Sequence, residues 1–321
     1  MSIWQAILGD QPVTAGGVRQ PAFALCDHLA VIRVTGEEAD DYLQGQITAD
    51  LKYIDEGAHR LAMHLSLKGR GLVSARVAAM PGGYLLVVPE ARVDDTLRCF
   101  EKYKLRAKAD FQHDTELAVV QLSGGVDATL ADAGLPIPEA GRATHRDGLT
   151  VMRYAHADVA LLVAPPALLG SHGRALSSER ALTDSDGGRF QDILAGEAQV
   201  FSGAEDLFLP QVLNYDVLGG VSFKKGCYTG QEVVARMHFK GKLKQRMRAF
   251  QYQGPPLRPG DSLRNADGKA VGDVVDSAPG APSPVALAAL RVTHEGELYR
   301  DDQPLHTEPV ELPYSLPQPK Q

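Results

Sequence analysis

The first patterned stretch of the chain is the apolar run Leu29–Val34, which predicts a strand. Thr35-Gly36-Glu37-Glu38 follows with the Thr-x-x-Glu spacing of a capping box, in which Thr35 accepts from a first-turn amide and Glu38 reaches back. Ala39, Tyr42 and Leu43 then share one helical face, and Gly45 is placed to end that helix. Strands Arg60–Leu65 and Leu72–Ala79 flank the basic turn Lys68-Gly69-Arg70-Gly71, and Gly82-Gly83 turns the chain into Tyr84–Val88. Ala91–Lys104, with Val93, Leu97 and Phe100 at helical spacing, is the clearest amphipathic helix. Strands linked by tight turns and mixed with helices predict an α+β region rather than a doubly wound parallel sheet.

Elsewhere the pattern is weaker. Residues 1–20 read as an extended or poorly ordered lead-in, and Gly124–Leu149 as a loop-rich connection. Leu182–Arg189 marks a second break. Its Asp184-Ser185-Asp186-Gly187-Gly188 lacks the further oxygen ligands and closing Glu of a calcium loop, so a turn is expected. Past Lys240, short strands alternate with Pro/Gly turns such as Pro259-Gly260 and Asp267-Gly268, the pattern of a small all-β domain. No repeat and no low-complexity tract is present.

Composition narrows the class. With 44% hydrophobic and 23% charged residues the 321-residue chain can bury sizeable cores, and two or three units are expected. A net charge of -7 argues against gripping nucleic acid with the whole surface, so direct nucleic-acid binding is not expected. Cys26, Cys99 and Cys227 form neither a CxxC pair nor a metal-ligand cluster, which points to reduced thiols and no structural metal. The apolar run Val159–Leu169 is short and broken by Pro165-Pro166, and no leader is visible. A soluble cytoplasmic protein with no membrane partner is expected.

Chemistry concentrates at Lys225-Gly226-Cys227-Tyr228-Thr229-Gly230-Gln231-Glu232. Thr229 to Glu232 is a second capping box, with Tyr228 and Val233 as a hydrophobic staple, so a helix should start near Gly230 with Val233, Val234 and Met237 inward. Cys227 would then sit at the positive end of that helix beside Lys224 and Lys225, a setting that promotes a reactive thiolate. Gly226 removes a side chain next to the sulfur. The bland alternative is a small buried hydrophobe, which is the reading for Cys26 and Cys99. A catalytic dyad would need a histidine brought in by the fold, and His28, His64, His113 and His238 are the candidates. Beyond it, Lys240, Lys242, Lys244, Arg246 and Arg248 occupy alternate positions. On a strand they would form one cationic row, either an anion-binding face or a solvated edge.

Leu209-Pro210-Gln211, Leu213-Asn214-Tyr215 and the tract Gly219-Gly220-Val221-Ser222-Phe223-Lys224 running into the cysteine segment resemble the signature of YgfZ proteins. Val34-Thr35-Gly36, Leu43 to Asp50, and Leu305-His306 through Leu316 extend the resemblance over residues 25–316. It implies a fold like the glycine-cleavage T-protein: three subdomains around an opening for tetrahydrofolate, the last a small β-barrel. Residues 21–240 would form a folate-binding region of two interleaved α+β subdomains, split near 50 and 112, with the barrel at 241–321. It implies a folate-dependent factor supporting iron–sulfur proteins and, through them, tRNA thiolation. Cys227 would be the functional thiol, flanked by Lys225 and Tyr228. Gln46, Lys68, Arg70, Gln211, Gln231, Glu232 and Arg236 would contact folate.

The sequence departs from the T-protein pattern in two places. Gly71-Leu72-Val73-Ser74-Ala75-Arg76 has no carboxylate where T-proteins carry their folate-activating aspartate, which argues against aminomethyl transfer. Leu194-Ala195-Gly196 stands where many relatives read Glu-Ala-Gly, and the only tryptophan is Trp4. The alternatives are a one-carbon transferase with a different base, and a tRNA-binding protein using the basic row.

Overall fold

The computed structural model describes residues 3–317. Alternation along Leu29–Thr35 and Gly83–Pro89 sends Ile32, Val34, Leu86 and Val88 to one face and Val31, Leu85 and Val87 to the other. Both faces are apolar, so both must be covered. The two strands belong to a five-stranded antiparallel sheet ordered Arg60–Leu65, Gly71–Met80, Gly83–Pro89, Leu29–Thr35, Asp110–His113. Helices Ala39–Gln44, Leu51–Asp55 and Val93–Glu101 cover one face through Leu43, Ile54 and Phe100.

Against the other face lies a six-stranded sheet: Ala181–Thr183, Ala22–Leu25, Ala118–Ser123, Val159–Ala164, Leu149–Arg153, Ala143–Arg146. Only its first pair is parallel. Helices Ile3–Leu8, Val126–Asp132 and Pro166–Ser177 close its outer side. The chain leaves this second sheet after Leu25 and returns to it at Ala118, so the two units are interleaved. Asp50, near which a split was expected, lies inside the first unit and N-caps Leu51–Asp55.

The last unit is a closed barrel ordered Gln245–Gln253, Val285–Arg291, Ala270–Ala278, Ser262–Arg264, Leu298–Arg300, Gln303–Val310. All three units meet in one apolar cluster: Met63 and Leu65 from the first sheet, Phe190 and Ile193 from helix Ser185–Ala195, and Met247, Val275 and Leu287 from the barrel, with Tyr215 and Tyr228 between. Among the described residues no helix is long and apolar enough to cross a membrane.

Several local expectations are corrected. Ile3–Leu8, read as lead-in, is helical, because Gly170 and Gly173 let it approach helix Pro166–Ser177 closely. A Cβ at those glycines would lie 2.2 Å from Ala6 O and 2.4 Å from Ile7 O. Helix Val126–Asp132 and strand Ala143–Arg146 replace the expected loop at Gly124–Leu149. The Asp184 segment is a helix start rather than a turn: its carboxylate accepts from Asp186 N at 3.1 Å, Gly187 N at 3.3 Å and Gly16 N at 3.0 Å. Neither capping box forms. Thr35 ends a strand, and the Glu38 carboxylate accepts from Lys108 N across the sheet edge instead.

Candidate functional site

The segment ahead of Cys227 is pinned to the stretch Ile47–Asp50. Thr48 is fully buried; its hydroxyl donates to Gly220 O at 2.6 Å and accepts from Met63 N at 2.9 Å, while Ser222 N donates to Thr48 O at 2.9 Å. Ser222 Oγ accepts from Lys225 N at 3.2 Å. The Lys225 ammonium then turns inward and donates to Ile47 O at 2.8 Å and Ala49 O at 2.7 Å, with the Tyr228 ring 5.3 Å away. Burial, partly offset by Asp50, lowers Lys225 to about 8, and burial raises the Tyr228 phenol to about 12. A lysine held by two carbonyls and a ring anchors the loop.

On the other side of Cys227 the chain enters helix Gln231–Lys240 through Gly230, whose φ is 79°. A Cβ there would sit 2.6 Å from Ser66 O, and one at Gly69 would sit 2.8 Å from Val233 Cβ. The two glycine turns therefore touch, which brings Lys68-Gly69-Arg70 against the start of this helix. No side chain caps the helix, since the left-handed Gly230 occupies the N-cap position expected of Thr229. Of the three apolar residues expected inward, only Val234 is fully buried.

Cys227 is exposed on the loop between these anchors. It lies three residues ahead of the N-cap, and the Lys225 ammonium beside it is turned inward onto Ile47 O and Ala49 O. A Cβ on Gly226 would meet nothing within 4 Å, so the protein itself does not require glycine there. Among the described residues no hydrogen bond joins Cys227 to a histidine. His28 is buried beside Ser185 and, through burial and then the Arg189 charge, falls to about 3. Burial also lowers His64, which contacts Gln46 O at 3.0 Å. His113 lies on a strand of the first sheet, and His238 stacks on Phe223. Cys26 is buried, as expected for an inert thiol, and burial raises it further.

The residues expected to contact folate fall into two groups. Gln211 is buried in the junction cluster with its Nε2 donating to Val234 O at 2.8 Å, while Lys68, Arg70, Glu232 and Arg236 are exposed around the helix start and Gln231 is half-buried. Arg70 donates to Asp206 O at 3.2 Å. Gln46 lies behind Thr48 rather than with either group, and its side-chain oxygen is buried without a partner. In the junction, Gln211 Oε1 and Tyr228 OH are likewise buried without partners. Such orphans are costly unless a ligand or water satisfies them, so both residues are able to serve a polar ligand there. Ser74 accepts from Val200 N at 2.7 Å, and Leu194 packs into the apolar junction, so neither position offers a carboxylate.

The basic row does not form. Arg246 makes a two-pronged pair with Asp216, at 2.7 and 2.9 Å, and Arg248 donates to Val292 O and His294 O, both at 3.2 Å. Lys240 ends the helix, and Lys242 and Lys244 lie on the connector before the barrel. Thr48, Ser222 and Asp50 join the site only through the fold. They fall in the Gln46–Asp50 and Gly219–Lys224 tracts that carry part of the family resemblance.

Comparison with known proteins gives the geometry a family. No family model matches the chain. It is 31% identical over 244 residues to the tRNA-modifying protein YgfZ of Pectobacterium carotovorum subsp. carotovorum (strain PC1), an alignment covering 75% of this chain and 73% of that relative. The chain belongs to the YgfZ family. Among solved structures, the glycine cleavage system aminomethyltransferase T from Bartonella henselae superimposes with a TM-score of 0.71 at 19% identity, covering 91% of this chain and 86% of that one. That likeness establishes the aminomethyltransferase fold for this YgfZ-family chain, with mixed helices and sheets and a closed C-terminal barrel.

Proposed function

We propose that this YgfZ-family chain is a folate-binding accessory factor that serves tRNA modification by supporting iron–sulfur proteins, with Cys227 as its working group. The observation that carries the reading is an exposed thiol on a loop anchored on both sides, by Lys225 to Ile47 and Ala49 and by Gly230 to the Lys68–Arg70 turn. A protein spends conformational entropy to fix a loop in this way, and here the fixed loop presents a soft, reactive atom to solvent. Membership in a family whose Pectobacterium relative is named a tRNA-modifying protein supports the choice of process.

Tetrahydrofolate, when bound, supplies a reduced pterin and an anionic glutamyl tail. Gln211 and Tyr228 would satisfy their orphaned polar atoms on the ring, and Lys68 and Arg70 would face the tail. The chain's own residues do not equip it for aminomethyl transfer, because Ser74 is committed to Val200 and no carboxylate lies in Gly71–Arg76.

Two measurements test this reading. In cells deleted for their own family member, expressing this chain should restore cluster-dependent tRNA methylthiolation, and nucleoside levels unchanged from the deletion strain would reject the role. In calorimetric titration, tetrahydrofolate should bind the wild type and lose about tenfold in affinity to Gln211→Leu, since the leucine cannot pair with the ring. Cys227→Ala should bind like the wild type. Equal binding by Gln211→Leu would remove the junction from the folate site.

A further inference from the structure

The end of helix Gln231–Lys240 carries a surface that the thiol and folate contacts leave unexplained. Phe239 is 65% exposed, although an aromatic side chain of this size is stabilised by burial. It does not stand alone. Phe223 and His238 stack with ring centres 3.7 Å apart and planes 17° off parallel, and Phe239 meets the His238 ring edge-on at 4.8 Å. These rings, with Tyr53, Asp50 and Lys224, line a surface cavity of about 420 Å³. Tyr53 is itself 46% exposed.

Along the segment from Phe223 that supplies three of these rings the charge inverts the character of the chain. Between residues 224 and 248 there are eight basic residues and one acidic residue, in a protein of net charge -7. Lys225, Arg246 and Arg248 are occupied internally. Lys224, Arg236, Lys240, Lys242 and Lys244 remain exposed and take part in no ion pair among the described residues. A solvated helix end accounts for scattered lysines, but it does not account for exposed stacked rings around a cavity in their midst.

We infer that this face binds a single-stranded stretch of RNA, with one base stacked in the cavity and the flanking phosphates on the exposed lysines. Rings that stack on bases and cations that track a backbone are the two components of single-strand recognition. The exposed, stacked rings favour this occupant over an acidic peptide, since Phe223, His238 and Phe239 offer flat faces and edges to a base, and a peptide of carboxylates has no ring to place against them. The choice of RNA over DNA rests on the tRNA-modification reading above, whereas the stacking geometry does not.

The test is fluorescence anisotropy with a fluorescein-labelled single-stranded RNA of about ten nucleotides, within the span such surfaces cover. The full-length protein should bind it, with log affinity falling against log salt at a slope of about -2 to -4, the value for three to five phosphate contacts. Phe239→Ala should weaken binding about tenfold. The triple variant Lys240→Glu, Lys242→Glu, Lys244→Glu should abolish binding, while Lys269→Glu on the barrel should leave it unchanged. These positions are exposed, so thermal melts should match the wild type. The inference is overturned if the wild type does not bind, if duplex RNA or DNA of the same sequence binds as tightly, if a polyglutamate peptide competes equally, or if Phe239→Ala binds like the wild type. Failure here alongside restored tRNA methylthiolation in cells would sink the RNA surface and leave the cellular role standing.

Discussion

Replacing Glu197 by Ala should lower the unfolding free energy by about 3–5 kcal/mol, the cost of stranding a buried charge. The charge stranded is Arg76, which is 2% exposed and pairs with Glu197 at 2.7 Å. Its guanidinium also lies 4.0 Å from the centre of the Tyr154 ring, whose hydroxyl donates to Asp192 at 2.7 Å, and Gln121 donates to the same carboxylate at 2.8 Å. Arg76 stands on the first sheet, Gln121 on the second, and Asp192 and Glu197 on or just after helix Ser185–Ala195. The network thus ties together the elements that frame the apolar junction. Substituting both partners, Arg76→Met with Glu197→Leu, should cost less than either single change, because the paired charges leave together and Asp192, which burial already raises to about 7, takes up a proton once Arg76 is gone. Urea unfolding midpoints and slopes decide the matter. Equal losses in the single and double variants, or a single loss within about 0.5 kcal/mol, would contradict the buried-pair argument.

Most of the first sheet was readable because its strands alternate and both faces are covered: Ile32 and Val34 against Val31, Leu86 and Val88 against Leu85 and Val87. The barrel was readable from its turns. What escaped depends on contacts distant in sequence. Ile3–Leu8 has no helical signal of its own and is held by an approach that Gly170 and Gly173 permit. Arg246 and Arg248 alternate as a surface row would, but Asp216 and two backbone carbonyls draw them in. The Thr229 box matched its motif, yet Gly230, pressed against Ser66 O, takes the N-cap position. At the site itself Cys227 was legible from its motif. The anchoring of Lys225 was not, because its partners are backbone carbonyls of Ile47 and Ala49, which carry no side-chain signal. The aromatic cluster of Phe223, His238 and Phe239 joins residues from both ends of the cysteine segment, and only the fold brings them together.

The second large effect concerns function without stability. Cys227 is exposed and, among the described residues, makes no hydrogen bond, so replacing it should change stability by no more than about 0.5 kcal/mol. If the thiol is the working group, the same replacement should remove the chain's activity entirely. Serine is close to cysteine in size but puts a hydroxyl in place of the soft, nucleophilic sulfur, so Cys227→Ser should fail as Cys227→Ala does. A merely structural cysteine would tolerate at least one of them.

The most direct measurement is the amount of methylthiolated tRNA nucleoside, read by mass spectrometry, in cells lacking their own family member and carrying wild-type, Cys227→Ala or Cys227→Ser chains at equal protein levels. The wild type should restore the modification, and both variants should leave it at the level of the deletion strain. Restoration by either variant to the wild-type level would contradict a function centred on the Cys227 thiol.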